Sequence, residues 1–475
     1  MSQNNIKEKI NKVINRCIKE EELYINIMTD FFTKGINKTS FCLESLQILP
    51  SIKEKNLEEN FKKNIKKIVC AIKNEIKPDL ILYKVLSCIY GAFYGDALGA
   101  FCEFSKYSKD NHKKIFKVTP YFGGEMGQVT DDSEMAMSLA YAIMDIPLKE
   151  NLNINYIYFY YGAWSKSHPI DIGKNTKKAL SKYNFQQFHP KRDGFKNIEG
   201  EINQKTYKSL SNGFLMRKST FIIWIYYRFY GEINRTFKEN NSNKLFLNLY
   251  LKVKQLSNID NRCTHTNPET DIASSFYCIM GLGVLYGLRA ENILLKLKSL
   301  CEEELLKTGN DIEKNFSNYF LIHLNKFNDN NFDFYKFFGD NTSQNCVSKK
   351  DMGYYCHAFL LTIYYLLKYD KYKIESGFID IMNEICDLGG DTDTNCCIVG
   401  GIIGPIFGMF NFGSKFFNSL ELIPKKRYIY SIALMALYIE YLNKSNKDSE
   451  LIQNEFYFLK TILTLLYDEI ELDLA

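Results

Sequence analysis

Gly91, Gly95 and Gly99 recur at every fourth residue, and so do Gly400, Gly404 and Gly408. At that spacing on a helix the three positions share one face and leave a bare stripe that a second helix can approach closely. A helical glycine costs about 1 kcal/mol relative to alanine, so two such stripes predict tight helix packing. The rest of the chain suits a helical frame. Nearly every periodic segment has helical spacing, alternating strand patterns are scarce, and the sequence holds only nine prolines. The predicted class is all-α, with helices near 80–104, 131–146, 174–183, 213–230, 268–306, 354–369, 376–387, 393–410, 427–443 and 450–470. Residues 1–80, with the run Lys62-Lys63-Asn64-Ile65-Lys66-Lys67, read as a helical extension ahead of a main domain at 82–475. The polar stretches 185–208 and 325–350 read as loop insertions.

Bulk properties exclude several classes. The 475 residues carry 60 basic and 55 acidic side chains, a net charge of +5, which gives no reason to expect a nucleic-acid partner. Thirteen cysteines, an odd number without a Cys-x-x-Cys pair, point to free buried thiols in a reducing, cytoplasmic compartment. Met1 to Leu23 is too charged for a signal-peptide core. The longest apolar runs, Cys396–Phe412 and Tyr430–Leu442, fall short of a bilayer span, so no membrane association is expected.

Two clusters of hard oxygen ligands carry the chemistry: Thr130-Asp131-Asp132 and Asp391-Thr392-Asp393-Thr394, each just ahead of an apolar helical stretch. Carboxylates and hydroxyls without nearby thiolate or imidazole suit Mg²⁺, Mn²⁺ or Ca²⁺. Helix capping accounts for one hydroxyl and one acid at each start; it does not account for two adjacent aspartates. Asp391, Asp393 and Asn395 match the first positions of an EF-hand loop. Cys396 and Ile402 stand where that loop needs glycine and glutamate, so the EF-hand reading fails. If the clusters meet, their negative charge requires cations, and the expected site is a two-metal hydrolytic one. Glu103 ends the first glycine-striped helix against the helix dipole, which implies a partner for its charge.

In order along the chain come Gly95-Asp96-Ala97-Leu98-Gly99 with Glu103, then Thr130-Asp131-Asp132 and Asp171-Ile172-Gly173. Asn212-Gly213 with Met216-Arg217, Thr264-His265 and Gly389-Gly390-Asp391-Thr392-Asp393-Thr394 follow. This series resembles the ADP-ribosylglycohydrolase family, which includes the dinitrogenase-reductase-activating glycohydrolases, over roughly residues 82–445. The resemblance implies an orthogonal multi-helix bundle around a cleft with two divalent cations, Mg²⁺ or Mn²⁺. Thr130, Asp131, Asp132, Asp391, Asp393 and Thr394 would be the metal ligands. It casts Glu103, Asp171 and Asp132 as catalytic groups, and Asn212, Gly213 and His265 as contacts to ADP-ribose; Tyr354 or Tyr355 would stack on adenine. The implied substrate is an ADP-ribosylated protein or an ADP-ribosyl small molecule, cleaved at an N- or O-glycosidic bond. A catalytically silent ADP-ribose-binding relative is the alternative. Phe214, where the family has a small residue, and Lys218-Ser219, where it is more apolar, depart from the pattern.

Overall fold

The computed structural model describes residues 81–114, 121–123, 129–146, 151–166, 169–183, 194–239, 243–349, 351–372 and 376–408. The expected extension over 1–80 and the helices expected at 427–443 and 450–470 lie outside them. In chain order the helices are α1 (Ile81–Gly99), α2 (Asp131–Asp145), α3 (Ile154–Ser165), α4 (Lys174–Leu180) and α5 (Lys196–Thr206). Then come α6 (Lys218–Arg228), α7 (Tyr230–Lys238), α8 (Asn243–Asn261), α9 (Pro268–Tyr286) and α10 (Ala290–Leu300). Last are α11 (Asp311–Asn328), α12 (Phe334–Phe338), α13 (Tyr355–Lys368), α14 (Gly377–Leu388) and α15 (Thr392–Phe407). Among the described residues the only strand-like pairing is an isolated bridge between Ser211 and Tyr354. The class is all-α, as the periodicity predicted.

The glycine stripes pack α1 against α15 in antiparallel register. A β-carbon at Gly91, Gly95 or Gly99 would overlap the backbone carbonyl of Gly400, Cys396 or Thr392, respectively. Backbones therefore touch without intervening side chains, and Thr392 Oγ1 donates to the Gly99 carbonyl at 2.6 Å. Gly408 has another job: at φ 78° it ends α15. The pairing is the spine of the molecule and brings residues 96–103 beside 391–396.

Several elements differ from the sequence reading. The helix expected over 268–306 is two, because Gly287 at φ 94° caps α9; α10 then continues through a π turn at Cys301–Leu305. The stretch 185–208 is no plain loop, since Ile202 and Thr206 give α5 a buried face. Nor is 325–350. Phe327, Phe334, Phe337 and Phe338 are buried in an aromatic cluster with Tyr364. That anchor holds the following loop, and the Val347 carbonyl lies where a side chain on Gly390 would go.

Arg217, Lys218 and Asp260 are fully buried together. Arg217 Nε lies 3.2 Å from both Asp260 oxygens, Lys218 Nζ donates to Asp260, and Tyr161 Oη donates to it at 2.6 Å. Burial alone would raise the Asp260 carboxyl; Arg217 and Lys218 outweigh that and hold it at about 2. Lys218 is thus sealed within the fold, and Phe214 is buried against His265 and Tyr355. Because Asp260→Ala strands two buried cations, it should lower the unfolding free energy by about 3–5 kcal/mol in urea denaturation. A loss under about 1 kcal/mol would contradict this account of the cluster.

Among the described residues no helix is long and apolar enough to cross a membrane. The ten described cysteines are free and buried.

Candidate functional site

The two acidic clusters meet. Asp131 opens α2 and Asp391 is the N-cap of α15, so two positive helix ends face the same place, where acids are favoured. Asp132 Oδ2 accepts from Thr130 Oγ1 at 2.9 Å and from Thr394 Oγ1 at 3.3 Å, a contact between residues 262 apart. Thr394 N–H donates to Asp393 Oδ1 at 2.8 Å.

The cap of α2 comes from another helix. The Thr130 side chain makes no capping bond. Asp96, in the last turn of α1, accepts the Thr130 and Ser133 N–H groups at 3.0 and 3.2 Å and the Ser133 hydroxyl at 2.5 Å. The sequence motif Gly95-Asp96-Ala97-Leu98-Gly99 gives Asp96 no role of its own. A lone aspartate inside an apolar helix was the available signal, since a charge is buried only with partners.

The turn before α15 is built by Gly389 and Gly390 at φ 72° and 81°, conformations in which side chains are strained. Gly390 exchanges bonds with the segment after Glu103. Phe104 N–H donates to the Gly390 carbonyl at 2.7 Å, and Gly390 N–H donates to the Ser105 carbonyl at 2.8 Å. Phe104 itself is held at φ 59°, an outlier for a bulky residue. This ladder fixes Glu103 beside Asp391.

Oxygens of Asp96, Asp132 and Asp393 lie within 4.8 Å of one another, and so do those of Glu103, Asp171 and Asp393. Asp393 is common to both groups. Asp131 accepts the Gly173 N–H at 3.0 Å and touches Asp171, tying in the Asp171-Ile172-Gly173 turn. Asn212 donates its amide to Asp391 at 2.8 Å, and its backbone N–H donates to the Gly353 carbonyl at 2.9 Å. Gly213 lies over His265: a β-carbon there would be 3.2 Å from the ring. His265 is buried, Nε2 to Ser211 Oγ at 2.8 Å and Nδ1 to Thr264 Oγ1 at 2.9 Å. Tyr355 is buried with its hydroxyl on Glu269 at 2.6 Å, while Tyr354 is half-buried.

So many carboxyls cannot all be ionised without a counter-charge. Burial first, then Asp391, Asp171 and Asp131, pushes Glu103 up to about 10. Burial raises Asp96 to about 6. Burial and neighbouring acids raise Asp131, Asp132 and Asp393 well above the carboxylate range, and burial raises Asp171. Asp132 Oδ1 and Glu103 Oε2 are buried without a hydrogen-bond partner among the described residues. Oxygen-only donors, orphaned buried carboxylate atoms and unrelieved negative charge together fit hard divalent cations.

The sign of the pH effect follows. Folded carboxyls raised above their unfolded values bind protons more tightly than the open chain, so the cation-free fold loses stability as pH rises from the ordinary carboxylate range toward about 10. Chelator-treated protein should show a thermal midpoint that falls from about pH 5 to about pH 8, with Mg²⁺ or Mn²⁺ raising it most at the upper end. A midpoint that climbs across this range without cation would contradict it.

The profile of the ADP-ribosylglycohydrolase family matches residues 77–446. An Acanthamoeba polyphaga mimivirus protein, provisionally named an ADP-ribosyl glycohydrolase, is 26% identical over 338 residues, 69% of this chain and 88% of that protein. The ADP-ribosyl-[dinitrogen reductase] glycohydrolase of Rhodospirillum rubrum is 29% identical over 104 residues, 21% of this chain and 34% of that enzyme. A solved structure named as an ADP-ribosylglycohydrolase-related protein complex aligns at a TM-score of 0.48 and 18% identity, covering 75% of this chain and 98% of that one.

Proposed function

The chain belongs to the ADP-ribosylglycohydrolase family of hydrolases, and we propose that it is a two-metal enzyme that removes ADP-ribose from a modified protein side chain. The observation that carries this reading is the convergence of Asp96, Asp132 and Asp393 beside Glu103 and Asp171, with Asp393 in both groups. Two carboxylate groups sharing a member suit two hard cations. Thr130, Asp131, Asp132, Asp391, Asp393 and Thr394 would hold them, with Asp96 positioning Thr130 and Ser133 from behind. Mg²⁺ or Mn²⁺ bound there would supply Lewis-acid polarisation of substrate oxygens and a more acidic water.

The protein's own groups do the rest. Glu103, held protonated in the cation-free site first by burial and then by Asp391, Asp171 and Asp131, would be the acid that gives a proton to the departing side-chain atom as the anomeric bond breaks. Asp171 lies beside Glu103 and Asp131 and is the paired carboxyl that such a cleavage uses. Asn212, fixed on Asp391, and Gly213, packed over His265, form the turn on which the ADP-ribosyl group rests. The relative named for dinitrogen reductase supports an ADP-ribosylated protein as substrate. The buried free thiols suit a reducing cytoplasmic setting.

The test is incubation with ADP-ribosyl-arginine and ADP-ribosyl-serine peptides in Mg²⁺, Mn²⁺ or chelator, with free ADP-ribose measured. Release from at least one linkage, lost in chelator, is expected. No release from either by protein that still binds ADP-ribose would overturn the enzymatic reading in favour of a binding protein.

A further inference from the structure

The buried cluster behind the Asn212 turn continues as a chain of hydrogen bonds whose direction can be worked out. Arg217 is fully buried and can only donate. Its Nη1 donates to the Gly213 carbonyl at 3.0 Å and its Nη2 to Thr264 Oγ1 at 2.9 Å. The Thr264 hydroxyl has one hydrogen of its own. It is fully buried, and among the described residues the only other group within reach of that hydroxyl is His265 Nδ1 at 2.9 Å. Were Nδ1 to carry the proton, the Thr264 hydrogen would be left without an acceptor in a dry site, which is costly. Thr264 therefore donates to Nδ1, and the single ring hydrogen sits on Nε2. Burial, then the Arg217 charge, lowers the His265 pKa and keeps the ring neutral. Nε2–H donates to Ser211 Oγ at 2.8 Å. Ser211 must then direct its own hydrogen away from His265, toward Ser209 Oγ at 3.2 Å or toward a ligand.

We infer that Arg217 and Thr264 set the polarity of the chain Arg217–Thr264–His265–Ser211, so that the half-buried Ser209–Ser211 hydroxyl pair faces the ADP-ribosyl group as a hydrogen-bond donor to an acceptor oxygen. Arg217, Thr264 and His265 are then positioning residues and Ser211 is the contact. The same guanidinium fixes the Gly213 carbonyl, so one buried charge sets both the backbone and the hydroxyl orientation of the turn. A serine preset as donor favours groups that only accept, such as phosphate oxygens, over hydroxyls that need an acceptor themselves. The assignment of a ligand rests on the proposed function; the polarity does not.

Side-chain nitrogen spectra of full-length protein with ¹⁵N-labelled histidine read the polarity directly. His265 is expected as the neutral Nε2–H tautomer from about pH 6 to about pH 8. Thr264→Ser should preserve that signal, and Thr264→Val should convert it to a mixture or to the Nδ1–H form. Ser211→Ala should weaken ADP-ribose binding about five- to tenfold by calorimetry, the worth of one neutral hydrogen bond. Thr264→Val should weaken it similarly, and Thr264→Ser should restore it. An Nδ1–H or cationic His265 in the unmodified protein would overturn the inference, as would unchanged binding in Ser211→Ala. Failure of the unmodified protein to bind ADP-ribose at all would strike the functional reading and the ligand assignment, leaving the tautomer to stand on its spectrum.

Discussion

Asp393→Asn should lower ADP-ribose release by about a thousandfold or more while the far-UV CD spectrum stays helical. Asp393 is the one residue common to the two carboxylate groups, beside Asp96 and Asp132 on one side and Glu103 and Asp171 on the other. The amide keeps the size of the side chain and an oxygen to accept the Thr394 N–H, which now bonds Oδ1 at 2.8 Å. What it removes is the charge that both cation positions would share. Charge stabilisation by bound metal is worth several kcal/mol of barrier, and each 1.4 kcal/mol is about tenfold in rate. Because Asp393 is itself pushed up by burial, Glu103, Asp391 and Asp132, losing its charge relieves repulsion, and the cation-free variant should be no less stable than the parent. Undiminished turnover would refute its metal role.

Gly95→Val should be among the most damaging single substitutions in the fold. The two helices of the spine touch through backbone at this position, and a β-carbon would overlap the Cys396 carbonyl. Backbone cannot give way as a flexible side chain does, so α1 and α15 must separate. Overpacking of this kind costs about 3 kcal/mol or more. The damage extends to the site, because Asp96 is the next residue and holds Thr130 and Ser133, while Cys396 lies three residues beyond Asp393. Thermal unfolding should fall by about 5–10 °C, with loss of turnover. Gly200 is the control. It also lies in a helix, but a β-carbon there meets nothing within 4 Å, so Gly200→Ala should be neutral or gain up to about 1 kcal/mol. If Gly95→Val were no worse than Gly200→Val, the close packing of the spine would be contradicted.

Both outcomes trace back to features readable in the sequence, and the limits of that reading have physical causes. Helical spacing and the fourfold glycine repeats announced an all-α fold with a close helix pair, because backbone approach needs small residues at one phase. They did not reveal that Gly408 ends its helix, or that Gly287 divides the stretch over 268–306; a glycine's φ is set by its surroundings. The helices Asn243–Asn261 and Asp311–Asn328, rich in Asn and Lys, are not among those that the periodicity announces. Polar composition made 185–208 and 325–350 look like loops, although a few buried side chains in each decide the outcome: Ile202 and Thr206 in one, the phenylalanines in the other. At the site, the choice of hard oxygen ligands and their place at helix starts was legible, since chemistry and dipole both demand it. The partners were not. Thr130 or Asp131 reads as the cap of its own helix, whereas the cap comes from Asp96, 34 residues from Thr130. The glycine turn at 389–390 is pinned by backbone bonds to residues 104–105, a pairing that only the assembled fold creates.

Anomalous diffraction from crystals grown with Mn²⁺ tests the central claim most directly. The account predicts two peaks about 4 Å apart, one ligated by Asp132, both reached by Asp393, and neither present in Asp393→Asn. Crystals in excess Mn²⁺ with no peak among Asp132, Asp391 and Asp393 would contradict it.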